Sequence, residues 1–152
     1  MFILNLDKNT GVLYLDNFIF DYSTEKQYLM TRCLFKGEVN DSFMSVNGFN
    51  KYGGFDIEFA GNEFSVEFMY KDGLLYSNSF IYNGLCVVEG FGATKFDQKN
   101  DRKKLRADFK KYLGKSPEKK LKYRDLFVYA WGAVRISISH RDYYVFLNFD
   151  YY

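Results

Sequence analysis

Between residues 55 and 82 apolar and polar positions alternate with a period of two. Phe55, Ile57 and Phe59 fall on one side and Asp56 and Glu58 on the other, while Phe64, Val66, Phe68 and Tyr70 oppose Glu63, Ser65 and Glu67. Turn residues at Asn47-Gly48, Gly53-Gly54, Gly61-Asn62, Lys71-Asp72-Gly73 and Asn83-Gly84 divide the pattern into strands over 42–49, 55–60, 63–70 and 74–82. Such a run predicts an antiparallel sheet with one buried face and one wet face. A two-residue turn at Gly61-Asn62 pairs Ala60 with Glu63, Glu58 with Ser65 and Asp56 with Glu67. For the next hairpin, a three-residue loop at 71–73 pairs Tyr70 with Leu74 and buries Tyr76, Phe80 and Tyr82, sending Ser77 and Ser79 outward. A two-residue loop is rejected there because it would bury the serines.

On either side of this sheet the pattern changes. Short aromatic and β-branched runs at 2–6, 12–15 and 18–22 predict a small meander, and Thr24 with Gln27 has the form of a capping box that opens a helix over 25–34. Segment 85–96 is interrupted by glycine and reads as irregular. From 97 to 113 the period lengthens: Asp101, Leu105, Phe109, Tyr112 and Leu113 form one stripe, with Asp97 as the cap and Gly114 as the stop. Strands return at 123–129, 133–139 and 143–151. A tight turn at Arg141-Asp142 pairs His140 with Tyr143 and sets Val134, Ile136 and Ile138 against Phe149, Leu147 and Val145. The fold class expected is α+β: a single domain over 1–152, mainly antiparallel sheet with about two helices.

Composition adds limits. A chain of 152 residues fits one domain, and 17 Phe, 14 Tyr and 1 Trp supply ample material for a core. No run approaches the roughly 18 apolar residues of a membrane span, and no leader pattern opens the chain, so a cytoplasmic location is expected. Cys33 and Cys86 have no paired spacing and His140 is the sole histidine, which argues against a zinc site or any other metal. The net charge of +2 hides an asymmetry. Residues 1–95 hold 12 acidic and 7 basic side chains, while residues 96–152 hold 7 acidic and 14 basic ones.

Catalysis finds little support in the sequence. His140 and Asp142 flank a turn, where two residues rarely converge on a substrate, and no nucleophile is placed beside them. The glycines match neither a dinucleotide nor a P-loop pattern, and Asp97 and Asp101 would repel an anion brought to the helix start by Gly90-Phe91-Gly92. Neither an enzyme activity nor a cofactor is expected. Two charged surfaces remain. The helix at 97–113 carries Lys99, Arg102, Lys103, Lys104, Arg106, Lys110 and Lys111, a candidate nucleic-acid surface and the alternative reading of function. The wet sheet face carries Asp56, Glu58, Glu63 and Glu67, a candidate partner-binding surface for a cationic protein. Like charges across a ladder cost stability, so folding alone does not call for them.

A further pattern joins these features. The helix ends at Tyr112-Leu113-Gly114-Lys115-Ser116-Pro117, a strand begins at Tyr129-Ala130-Trp131-Gly132-Ala133-Val134, a closing strand ends at Phe149-Asp150-Tyr151, and Thr10-Gly11-Val12-Leu13-Tyr14-Leu15 stands near the start. In this order of features the chain resembles immunity proteins of bacterial contact-dependent growth inhibition and related polymorphic toxin systems. It departs from them between Glu89 and Lys95, where Gly90-Phe91-Gly92 replaces a tryptophan-rich approach to the helix. The resemblance implies stoichiometric neutralisation of a cognate toxin C-terminal domain, a nuclease by expectation, with no chemistry by this chain. It transfers no binding residue.

Overall fold

In the computed structural model, residues 2–16, 18–20, 49–71, 74–141 and 143–152 are described. The helix expected over 25–34 and nearly all of the strand expected over 42–49 lie outside them. Among the described residues ten strands form one sheet: β1 (Phe2–Leu6), β2 (Leu13–Leu15), β3 (Phe18–Phe20), β4 (Phe49–Phe59), β5 (Asn62–Lys71), β6 (Leu74–Tyr82), β7 (Lys119–Lys120), β8 (Arg124–Tyr129), β9 (Gly132–Ile138) and β10 (Val145–Tyr151). Their order is β3-β2-β1-β4-β5-β6-β10-β9-β8-β7, and every pairing is antiparallel except that of β1 with β4. The fold is α+β and mainly antiparallel.

Helix α1 (Leu85–Glu89) runs into a 3₁₀ turn (Gly90–Gly92) and then α2 (Lys95–Leu113), so the segment expected to be irregular is largely helical. The reason is Asp101. Its carboxylate, on the buried stripe of α2, accepts hydrogen bonds from the backbone N–H groups of Leu85 and Cys86 at 3.0 Å each, satisfying amides that the start of α1 leaves unpaired. Helix α2 begins two residues before the expected start. Thr94 is its cap, accepting from the Asp97 N–H at 3.2 Å while the Asp97 carboxylate accepts from the Thr94 N–H at 2.9 Å. Gly114, at φ 73°, ends it as expected.

One stripe of α2 packs on one face of the sheet. Phe109 lies 5.4 Å from the Phe59 ring and 6.4 Å from that of Phe64, and Leu105 and Leu113 are buried beside them. The β1–β2 loop meets the β8–β9 turn and β10. Trp131, in the β8–β9 turn, donates its indole N–H to the Lys8 carbonyl at 2.9 Å, and Tyr151 donates its hydroxyl to the Gly11 carbonyl at 2.6 Å. Gly11 has φ +78°, and a Cβ there would lie 2.3 Å from the Trp131 ring, so only glycine fits.

Two registers differ from expectation. The β4–β5 turn is Ala60-Gly61, with φ values of 51° and 75°, and not Gly61-Asn62. Consequently Phe59 pairs with Asn62, Glu58 with Glu63 and Asp56 with Ser65; Glu67 stands opposite Gly53, not Asp56. Gly53-Gly54 is no turn but the site of a bulge within β4. In the β5–β6 hairpin Lys71 pairs with Leu74, the two-residue connection that had been rejected. A register shift past Met69 restores the faces, leaving Phe80 opposite Val66 and Tyr82 opposite Phe64. The β9–β10 register is as expected, with Val145, Leu147 and Phe149 against Ile138, Ile136 and Val134.

Candidate functional surfaces

The face of β4 and β5 turned away from α2 holds the acidic residues. Asp56, Glu58 and Glu63 are exposed, and the Glu67 position follows Ser65 two residues on along the same strand. Asp56 is tied down: its carboxylate accepts from the Ser65 hydroxyl at 2.7 Å and from the Asn83 amide at 3.3 Å. Glu58 and Glu63 face each other directly across the ladder, and among the described side chains neither has an ion-pair partner. Repulsion between them costs stability on the order of a few tenths of a kcal/mol to 1 kcal/mol. The carboxylate pair expected to repel was Asp56 with Glu67; the structure assigns that role to Glu58 and Glu63.

Beyond Asn83 the chain enters α1 and the 3₁₀ turn, which expose Val88 and Phe91, the second of them fully, and the first turn of α2 exposes Phe96. Sequence patterning missed this cluster because a short run broken by glycines shows neither period clearly. Phe91 lies beside Arg141, Tyr143 and Tyr144, which line a shallow cleft with it. Cys86, in contrast, is buried; loss of solvation, followed by the Asp101 carboxylate, pushes its thiol up to about 12. It is inert as a nucleophile near neutral pH. Cys33 lies outside the described residues.

The basic helix is less free than its sequence suggests. Asp125 is completely buried and accepts from Arg102 Nε and Nη2 at 3.0 and 3.1 Å and from Arg106 Nε at 3.0 Å. Arg102 also donates to the carbonyls of Leu121 and Lys122 at 2.7 Å each. Lys104 binds Asp108 at 2.8 Å and the Asn62 side-chain oxygen at 2.7 Å. Burial pushes the Asp108 carboxyl up, but the hydrogen bonds from Lys104 and Asn62 outweigh it and hold the group below its ordinary range. Lys99, Lys103, Lys110 and Lys111 remain exposed.

His140 packs edge-on against Tyr123 at 4.0 Å, and Asp142 lies outside the described residues. Among the described residues no three His, Cys, Asp or Glu side chains are grouped to hold a metal ion, and no helix is long and apolar enough to cross a membrane. No protein-family model, curated protein or solved structure matches the chain.

Proposed function

We propose that this chain is a stoichiometric binding protein of the immunity class, which occludes a cationic toxin domain such as a nuclease. The observation that carries this reading is the Glu58–Glu63 pair, two carboxylates set across a ladder where the fold gains nothing from them. Negative charge presented on a rigid sheet raises the encounter rate with a cationic surface and disfavours other partners. Affinity needs apolar anchors as well, and Val88 and Phe91 stand ready on the helical segment that follows Asn83, itself bonded to Asp56. Such a protein works by covering a groove, which requires no catalytic group or cofactor of its own.

The test begins by asking whether a toxin C-terminal domain is encoded beside the chain and co-purifies with it. In the complex, the triple variant Asp56→Lys, Glu58→Lys, Glu63→Lys, with Glu67 kept, should associate at least about tenfold more slowly at low salt and lose the salt dependence of the wild-type rate. Unchanged association and unchanged salt dependence would remove the acidic face from the mechanism. The alternative, nucleic-acid binding through the face of α2, has Lys103, Lys110 and Lys111 to draw on, while Arg102 and Arg106 are committed to Asp125.

A further inference from the structure

A cleft of about 460 Å³ lies between α2, the approach to β8 and the β9–β10 connection. Lys95, Lys99 and Arg102 line it from the helix, Lys122 and Tyr123 from one wall, and His140 and Tyr143 from the other. Its size falls in the range of about 300–1,000 Å³ found for small-molecule sites. Both walls are fixed by side chains of one helix, four residues apart. Arg102 holds the carbonyls of Leu121 and Lys122, while Gln98 Nε2 donates to the carbonyls of Ser139 and Tyr144 at 2.7 and 3.2 Å. A cleft held in this way enters binding already ordered, which lowers the entropy cost of taking a ligand.

Its charge exceeds what the walls require. Lys95 and Lys99 stand at i and i+4 on α2, a like-charge spacing that weakens a helix, and Lys122 joins them from across the cleft, 5.0 Å from the centre of the Tyr123 ring. None of these lysines has an ion-pair partner among the described residues, and no described carboxylate lines the cleft. Beneath them Arg102 and Arg106 share one carboxylate, leaving a net positive charge in that group too. Anions are therefore drawn to this floor. The remaining walls are Ile138 and three aromatic side chains: Tyr123 and His140 meet edge to face, forming a corner with Tyr143 nearby. Flat rings against a cationic floor match a ligand that combines a phosphate with a planar heterocycle. The Gln98 side-chain oxygen, which has no donor among the described residues, adds an acceptor for a sugar hydroxyl or an exocyclic amine.

We propose that this cleft is a nucleoside-phosphate site, filled either by a free nucleotide or by one residue of a single strand. It is independent of the acidic face, and its test does not need the protein partner. Adenosine 5′-monophosphate, adenosine, inorganic phosphate and a six-residue oligoadenylate are titrated into the full chain at low salt, with calorimetry and backbone amide shifts as readouts. The monophosphate should bind one to one, at least about tenfold more tightly than adenosine or phosphate alone, and should shift the amides of Gln98, Tyr123 and His140. Lys99→Ala with Lys122→Ala should weaken it about tenfold or more, whereas Lys110→Ala with Lys111→Ala should leave it unchanged. Competition by the oligomer with higher affinity than the monophosphate identifies a strand as the source; equal affinity identifies the free nucleotide. The proposal is overturned if the monophosphate does not saturate in the millimolar range, if the shifts fall elsewhere, or if both lysine pairs matter equally.

Discussion

Asp125 accepts hydrogen bonds from two arginines, while Glu58 stands across the ladder from another carboxylate. The first arrangement closes the helix onto the sheet: Arg102 and Arg106 reach from α2 to β8, and the charge left over is shared with backbone carbonyls. The second adds nothing to the closure, since its residues point away from α2 and are exposed. A charge count along the sequence treats both groups alike. Their surroundings separate charges consumed by the fold from charges still available to a partner.

The sharpest way to break this contrast is Asp125→Asn. It leaves two arginines facing a neutral amide in a buried place, and should cost about 3–5 kcal/mol in urea unfolding. A loss below about 1 kcal/mol would mean that the arginines find water easily and that the helix side is no more committed than the acidic face.

Alkaline titration probes the same packed side by another route. Burial raises the pKa of Tyr82, of Tyr129 and, most strongly, of Tyr151, and it raises Cys86 to about 12. The neutral forms are favoured in the folded state, so this contribution is fully present below the unfolded values of 9.0 for the thiol and 10.0 for the phenols. It declines as pH rises through the folded values. Urea midpoints should hold to about pH 9 and then fall, and Cys86→Ala should flatten the first part of that fall. A midpoint flat to pH 11 would contradict the packing of these four side chains.

The smallest effect has the opposite sign. Glu58→Lys places a cation across from Glu63 and should raise stability by about 0.2–1 kcal/mol, seen as a higher thermal midpoint, while slowing association with a cationic partner. Gain in one property and loss in the other distinguishes a surface kept for binding from one that is merely solvated. A drop in stability would show that the two glutamates are not in repulsive contact.

How far the sequence carries depends on what alternation can encode. Period-two patterning assigns a face, and it placed Ile57, Phe59, Phe64, Val66, Phe80 and Tyr82 inward correctly. Sliding one strand by two residues leaves every face unchanged, so patterning is blind to that error, and both misread registers are slips of this kind. Tertiary contacts settle them. Asn62 is buried at the end of β5, donating to the Ala60 carbonyl at 3.0 Å and to Asp108 of α2 at 3.1 Å while accepting from Lys104, which fixes the turn one residue earlier than glycine placement suggests. The β9–β10 register was legible because a tight turn after His140 and the alternation of Val134, Ile136 and Ile138 with Val145, Leu147 and Phe149 lead to the same pairing. For the charged surfaces, the acidic face was visible as alternating Asp and Glu. The cleft between α2 and the β9–β10 connection was not, because it unites Lys95, Lys122 and His140 only after the chain has folded.

Strand β10 occupies a central place, between β6 and β9, although it follows every other described strand in sequence. It joins β6 through only two ladder pairs, Phe146 with Ile81 and Leu147 with Phe80. Beyond them the Asn78 side chain takes over, donating to the Phe149 carbonyl at 3.1 Å and accepting from its N–H at 3.0 Å, as a further backbone amide would. Until residues 145–151 insert, β6 and β9 are two unprotected edges separated by a missing plank. Pairings across so much intervening chain form slowly. A folding chain of this topology is therefore most exposed to strand-to-strand aggregation before β10 inserts, and is relieved of that risk at both edges in one step when the central strand docks.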